Sequence, residues 1–227
     1  MKKLLIIFLL MTSTLAGALY VCNRADEKIA QTLSYSKMRP VIVIDAGHGG
    51  VDVGTVGVDG CNEKEINLSI ALNLYDFLSV CGYDCKLTRA GDYEVFNENE
   101  KRERSDLYNR MDYINSFQDC VMISIHQNHF ENEAEHGAQI WYSPNDEKSK
   151  LIADSILHSI KNNLQPDNQR VNKESDSSYY LLHKACNPSV MIECGFMSNR
   201  EENSKLQDLE YQKDLSYSIM YGLSEEV

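Results

Sequence analysis

Four side chains in this sequence have types and surroundings suited to hydrolytic chemistry: His48, Glu63, His126 and Glu193. His48 follows the apolar run Val41-Ile42-Val43-Ile44, inside Asp45-Ala46-Gly47-His48-Gly49-Gly50, where the glycines let backbone and solvent approach the imidazole. His126 ends Val121-Met122-Ile123-Ser124-Ile125, and Glu193 ends Val190-Met191-Ile192. Two imidazoles and a carboxylate, with one position left for water, form a ligand set for catalytic zinc, so His48, Glu63 and His126 are expected to bind one Zn2+ ion. A further, unligated carboxylate must take a proton from water and pass it to a leaving amine; Glu193, on an apolar strand that would raise its pKa, suits that role. Each residue also has a plainer reading. A strand-end histidine can be a hydrogen-bonded structural residue, an acid such as Glu63 is favoured in a first helical turn by the helix dipole, and a buried glutamate can be satisfied by a cation. Glu65 has the better claim to a capping box, which leaves Glu63 as the preferred ligand. His129 could compete for the metal, although it falls beyond the strand, towards the rim.

Groups at three strand ends converge only if the strands share one sheet, and in largely parallel sheets ligands bind outside the carboxyl ends. The short β-branched runs at 41–44, 121–125 and 190–192 read as such buried strands. Asn62 is expected as N-cap of a helix with Ile66, Ile70, Leu74, Phe77, Leu78 and Cys81 in its apolar stripe, stopped at Gly82. A strand over 83–88, a polar loop over 89–100 and a helix carrying Leu107, Met111 and Ile114 come after it. Next are a strand at 138–142, a helix over about 146–164 with Leu151, Ile152, Ile156 and Ile160, and a loop near the site over 165–178. One last helix carries Leu206, Leu209, Leu215, Ile219 and Leu223. The fold class is α/β: a single domain with a mostly parallel twisted sheet flanked by helices and the zinc site at the C-terminal ends of the strands.

The chain has 227 residues, 43% of them hydrophobic, which suffices for one sizeable core but not for two full domains. A formal net charge of −12 argues against nucleic acid as the partner and against long-range attraction to an anionic membrane or polymer, so recognition should be local, in a cleft. Lys2-Lys3 precedes an uncharged stretch from Leu4 to Val21, which makes residues 1–22 a signal peptide, with Ala16-Gly17-Ala18 as cleavage site, or a membrane anchor. Residues 23–38 read as a polar tether and 39–227 as the catalytic domain, working outside the cytoplasm. Seven cysteines in an exported chain would suggest disulfides, but the count is odd and no Cys-x-x-Cys occurs. Cys81 and Cys85, around Gly82-Tyr83, are the only locally plausible pair, and Cys120 and Cys194 read as small core hydrophobes.

The segments from Val43 to Gly50, from Glu63 to Leu68, from Ser124 to Asn128 and from Ile192 to Asn199 resemble, in order, four signature blocks of the zinc-dependent N-acetylmuramoyl-L-alanine amidases of the amidase-3 type. Leu87-Thr88-Arg89 and residues 110–115 resemble intervening blocks, so the likeness covers roughly 40–223. It implies zinc on His48, Glu63 and His126, a catalytic Glu193, and cleavage of the amide between N-acetylmuramic acid and the L-alanine of the peptidoglycan stem peptide. A short chain with an apolar N-terminal segment and the run Arg104-Ser105-Asp106-Leu107-Tyr108-Asn109-Arg110 is similar to the spore-cortex, germination-specific members. In those, stem-peptide removal precedes muramic δ-lactam formation, which a deacetylase completes. Ala46 stands where many members have Pro, Cys194 where Leu or Val is common, and His183 where Arg or Gln is expected near substrate. Two other functions remain open, a zinc peptidase cutting within the stem peptide and a catalytically silent peptidoglycan-binding or regulatory module.

Overall fold

The computed structural model describes residues 39–95 and 106–227, together with Thr14, Gly17, Ala18, residues 20–25 and Lys28. Contacts divide the chain into two units, Met1–Arg39 and Pro40–Val227. The described residues before Arg39 are helical, with Arg24 Nε donating to Tyr20 Oη at 3.2 Å. Most of the segment read as signal or anchor, most of the tether, and residues 96–105 lie outside the described residues. Among the described residues no helix is long and apolar enough to cross a membrane.

The second unit runs β1 (Val41–Ala46), α1 (Glu63–Val80), β2 (Cys85–Leu87), α2 (Asp106–Asn115), β3 (Cys120–Asn128), β4 (Gln139–Tyr142), α3 (Glu147–Asn163), β5 (Lys173–Glu174), α4 (Tyr180–Lys184), β6 (Ser189–Phe196), α5 (Arg200–Gln207) and α6 (Leu209–Leu223). One six-stranded sheet has the order β2-β1-β3-β6-β4-β5. Strands β2, β1, β3 and β6 are parallel, while β4 is antiparallel to β6 and carries β5 parallel to itself. After β1 the chain goes through α1 to β2 on one side of β1, then returns through α2 to β3 on the other. The crevice between the ends of β1 and β3 is thus a topological switch point, where such sheets bind ligands.

Side-chain alternation sorts the strand residues onto two faces. Ile42, Ile44, Val121, Ile123, Ile125, Val190 and Ile192 join the larger core with residues of α1, α3 and α6. Val43, Met122 and Met191 belong to a smaller cluster under α2 and α4. Fully burying one such aliphatic side chain contributes about 1.5–3 kcal/mol, so the larger core carries most of the stability. Asp45, Ser124, His126 and Glu193 have the parity of the smaller cluster and share the face covered by the two shorter helices.

Several expectations need correction. Asn62 is the N-cap of α1, but its side chain makes no capping hydrogen bond; its amide reaches Glu65 Oε1 at 3.5 Å. Ile66, Ile70, Leu74 and Leu78 are buried as expected, whereas Cys81 is exposed. The helix stops because Gly82, at φ 82°, lets its own N–H reach Ser79 O and the N–H of Tyr83 reach Leu78 O, a Schellman ending. Leu107, Leu151 and Leu209 point to solvent rather than into the core. The last helix is two, interrupted at Asp208, whose carboxylate accepts from Tyr211 N at 2.9 Å and restarts it as N-cap of α6. The presumed loop over 165–178 contains β5, a two-residue strand at the sheet edge. Cys81 and Cys85 are free thiols, as are the other five cysteines.

Candidate metal and active site

Glu63 opens α1 at the switch point and is buried there. Its Oε2 lies 3.2 Å from His48 Nε2 and its Oε1 3.0 Å from His126 Nδ1. The two imidazole centroids are 4.9 Å apart, edge to face. One ligand atom from each of His48, Glu63 and His126 falls within 4.8 Å of the others. His129 is exposed beyond β3 and outside this cluster, and His183 is exposed on α4.

The three groups are held from behind. Asn67, one turn along α1, donates to Glu63 Oε1 at 3.1 Å, as does Gln127 N at 2.9 Å, and Thr55 N donates to Oε2 at 2.8 Å. Asp52 Oδ2 sits 2.7 Å from His48 Nδ1, which orients the ring and leaves Nε2 towards Glu63. Burial alone would raise the Glu63 pKa, but hydrogen bonds from His126 and His48 hold it well below the usual carboxylate range. Burial would likewise lower the His48 pKa, yet Glu63 and then Asp52 raise it to about 9. The field between the rings favours positive charge.

His48 has φ 61°, a left-handed conformation that costs a non-glycine residue energy and needs support. Arg110 supplies it, donating to His48 O at 2.5 Å and Ala46 O at 2.7 Å while pairing with Asp45 at 2.6 Å. Arg89, fully buried, donates to Ala46 O, Gly47 O and Lys64 O, each at 2.8 Å. Thr88 and Ser124 complete the shell of Asp45 at 2.8 and 2.7 Å. Burial opposes the Asp45 charge, but Arg110 and these hydroxyls outweigh it and lower its pKa to about 2. Gly47 has to be glycine: a Cβ there would lie 2.3 Å from the His126 ring.

Glu193 sits on β6 directly opposite His126 on β3. Its Oε2 is buried and has no hydrogen-bond partner among the described residues. Burial, only partly offset by the His126 imidazole, pushes its carboxyl up to about 7. An unpartnered carboxylate with that pKa, beside two imidazoles and a carboxylate, is equipped to move protons near neutral pH. The donor set fits zinc: two nitrogens and one oxygen already converge, and Glu193, with its orphaned oxygen, is the register partner of His126.

The sequence reading missed the supporting residues. Asn67, four residues after Glu63 on one helix face, had a usable signal. Arg89 and Arg110 had none beyond the block resemblance, and Asp52, outside every block, had none at all, since their partners are set by tertiary structure.

The N-acetylmuramoyl-L-alanine amidase family Amidase_3 matches residues 42–225. A germination-specific N-acetylmuramoyl-L-alanine amidase of Bacillus subtilis is 30% identical over 187 residues, covering 81% of this chain and 78% of the relative. The CwlD amidase of Clostridioides difficile, solved in complex with the GerS lipoprotein, superposes with a TM-score of 0.77 at 34% identity, over 83% of this chain and 98% of that one. The AmiC2 amidase of Nostoc punctiforme has a TM-score of 0.72 at 28% identity, over 82% of this chain and 96% of the other.

Proposed function

The chain belongs to the Amidase_3 family and is an N-acetylmuramoyl-L-alanine amidase acting on peptidoglycan, and on that premise we propose that it works through one zinc ion bound by His48, Glu63 and His126, with Glu193 as the proton carrier. The observation that carries this reading is the convergence of the three ligand atoms within 4.8 Å, with Glu193 opposite His126. When bound, zinc supplies Lewis acidity, making water a nucleophile near neutral pH and polarising the scissile carbonyl. Glu193 then has two tasks. It accepts a proton from the attacking water and delivers it to the amide nitrogen as the C–N bond breaks. The products are a lactyl carboxylate on the sugar and a free L-alanine amine. Asp52 and Asn67 fix the orientation of His48 and Glu63, and Arg110 holds the His48 backbone.

The germination-specific relative from B. subtilis supports a role in the spore cortex, where stem-peptide removal would prepare muramic δ-lactam formation and a deacetylase would complete it. The catalytic body, from about residue 39, would act outside the cytoplasm, held near the membrane by residues 1–22 or released after cleavage. The C. difficile neighbour was solved with a lipoprotein, which supports a protein partner at the membrane surface for this chain as well.

Mass spectrometry of digested peptidoglycan tests the reaction. New L-alanine amino termini are expected; cuts within the stem peptide would make the protein a peptidase, and unchanged peptidoglycan would make it a silent binding module.

A further inference from the structure

Glu193 borders a groove of about 340 Å³ on the side away from His126. Sheet register fixes the order of residues along this groove. Gln139 on β4 stands opposite Glu193, Trp141 opposite Met191, and Lys173 on β5 opposite Trp141. Directly opposed residues share a face, so Trp141 and Lys173 lie on the same side of the sheet as the catalytic carboxylate. Trp141 stacks on Tyr179, with ring centroids 4.5 Å apart, and the Lys173 ammonium lies 5.1 Å from the Trp141 centroid.

The groove has two cations, and they differ in what they have left to give. Arg170 is committed: its guanidinium lies 4.2 Å over the Phe196 ring, donates to His136 O at 2.7 Å and pairs with Glu135. Lys173 is exposed and, among the described residues, has no carboxylate at ion-pair distance. In a chain of net charge −12, this ammonium rests on an aromatic plate in the same groove that Glu193 borders, a local cation suited to an anionic group. Two interstrand spacings of about 4.8 Å and one two-residue step of about 6.7 Å separate the Glu193 and Lys173 backbones, roughly 12 Å in all. An extended peptide covers that span in about three residues.

We propose that Lys173, on the Trp141–Tyr179 plate, holds a carboxylate of the second or third residue of the stem peptide and thereby selects acidic stems over amidated ones. This rests on the amidase reading, because the groove leads away from the proposed proton carrier. The aromatic plate excludes water from one side of the ion pair and packs the peptide's aliphatic portion, while Arg170 keeps the opposite wall in shape through Glu135.

Trp141 is the only tryptophan in the chain, so its fluorescence reports groove occupancy without turnover. The full-length protein is titrated with a free tripeptide stem carrying its carboxylates and with the same peptide carboxamidated at the second and third residues. The acidic peptide is expected to shift Trp141 emission with a Kd about tenfold lower than the amide. Lys173→Met, which keeps an unbranched stem on the ring, should erase that preference, and Lys173→Arg should retain it. Equal affinities for the two peptides, emission unmoved by either, or an intact preference in Lys173→Met would each overturn the proposal. Release of L-alanine amino termini from peptidoglycan is scored in parallel: its absence would refute the amidase reading, whereas turnover without the charge preference would refute only the subsite.

Discussion

His126 and Glu193 are register partners on adjacent parallel strands, and their shared parity sets the imidazole proposed as a ligand beside an unpartnered carboxylate. The division of labour comes from what each touches. His126 is engaged by Glu63 at 3.0 Å, whereas Glu193 Oε2 is buried with no partner among the described residues. Glu193→Gln keeps the shape and removes the proton acceptor. The variant is expected to fold, retain metal and lose roughly 10²–10⁴-fold in kcat. Near-normal turnover, measured beside zinc content and a melting curve, would make Glu193 structural.

Metal retention separates the two histidines near the end of β3. His126→Ala should leave folded protein with little bound zinc, and His129→Ala should bind it normally, because His129 is exposed and outside the cluster. Dialysis against a chelator should abolish hydrolysis of muropeptide, with zinc restoring it. Zinc content unchanged in His126→Ala, read by elemental analysis, would move the site elsewhere.

What could be read from the sequence depends on the range of the interactions. The groups at the ends of β1, β3 and β6, and Glu63 at the start of α1, were legible because apolar strand runs and a helix start mark such positions locally. Arg89 looked like the first residue of a polar loop, yet it is fully buried. One hydrogen bond is local, to Gly91 O, but three go to Ala46, Gly47 and Lys64, carbonyls brought to it only by the finished fold. Leu107, Leu151 and Leu209 were misread for a different reason. An apolar residue at the margin of a helical stripe fits the pattern whether or not the helix turns it inward, and these are 42%, 53% and 63% exposed. Strand β5 is too short to alternate, so no periodic signal could announce Lys173. The break at Asp208 was readable in principle, since Asp is a preferred N-cap.

The Asp45–Arg110 pair makes stability depend on acid. The Asp45 pKa falls from an ordinary 3.8 to about 2 in the folded chain. A depressed carboxylate stabilises the fold above its unfolded pKa, and the contribution disappears as pH drops through the folded value. At 1.36 kcal/mol per unit the contribution is about 2 kcal/mol, present in full above pH ~5 and lost between there and pH ~1. Denaturant midpoints of Asp45→Asn should therefore vary less over that interval than those of the parent. Arg110→Met should cost more, about 3–5 kcal/mol at neutral pH, because it strands Asp45 as an unpaired buried charge. Parallel acid profiles for Asp45→Asn and the parent would assign the pH dependence to other carboxylates.

Gly47 tests whether space, rather than backbone freedom, fixes the proposed metal site. An added Cβ would lie 2.3 Å from Cε1 and Nε2 of His126 and 2.8 Å from Cδ2. The backbone has little room to yield, because Gly47 O is held by Arg89 at 2.8 Å and by Asn67 at 3.2 Å. The imidazole must move instead, drawing Nδ1 away from Glu63. Gly47→Ala is expected to weaken zinc binding by roughly 10–100-fold, the scale seen when the support of a metal ligand is removed. Gly60→Ala is the matched control: its φ of +92° is unfavourable for alanine, but no described atom lies within 4 Å of the new Cβ. That variant should lose about 1 kcal/mol of stability and bind zinc normally. If both variants bound zinc equally well in a competition titration, the close approach of Gly47 to His126 would have no part in building the site.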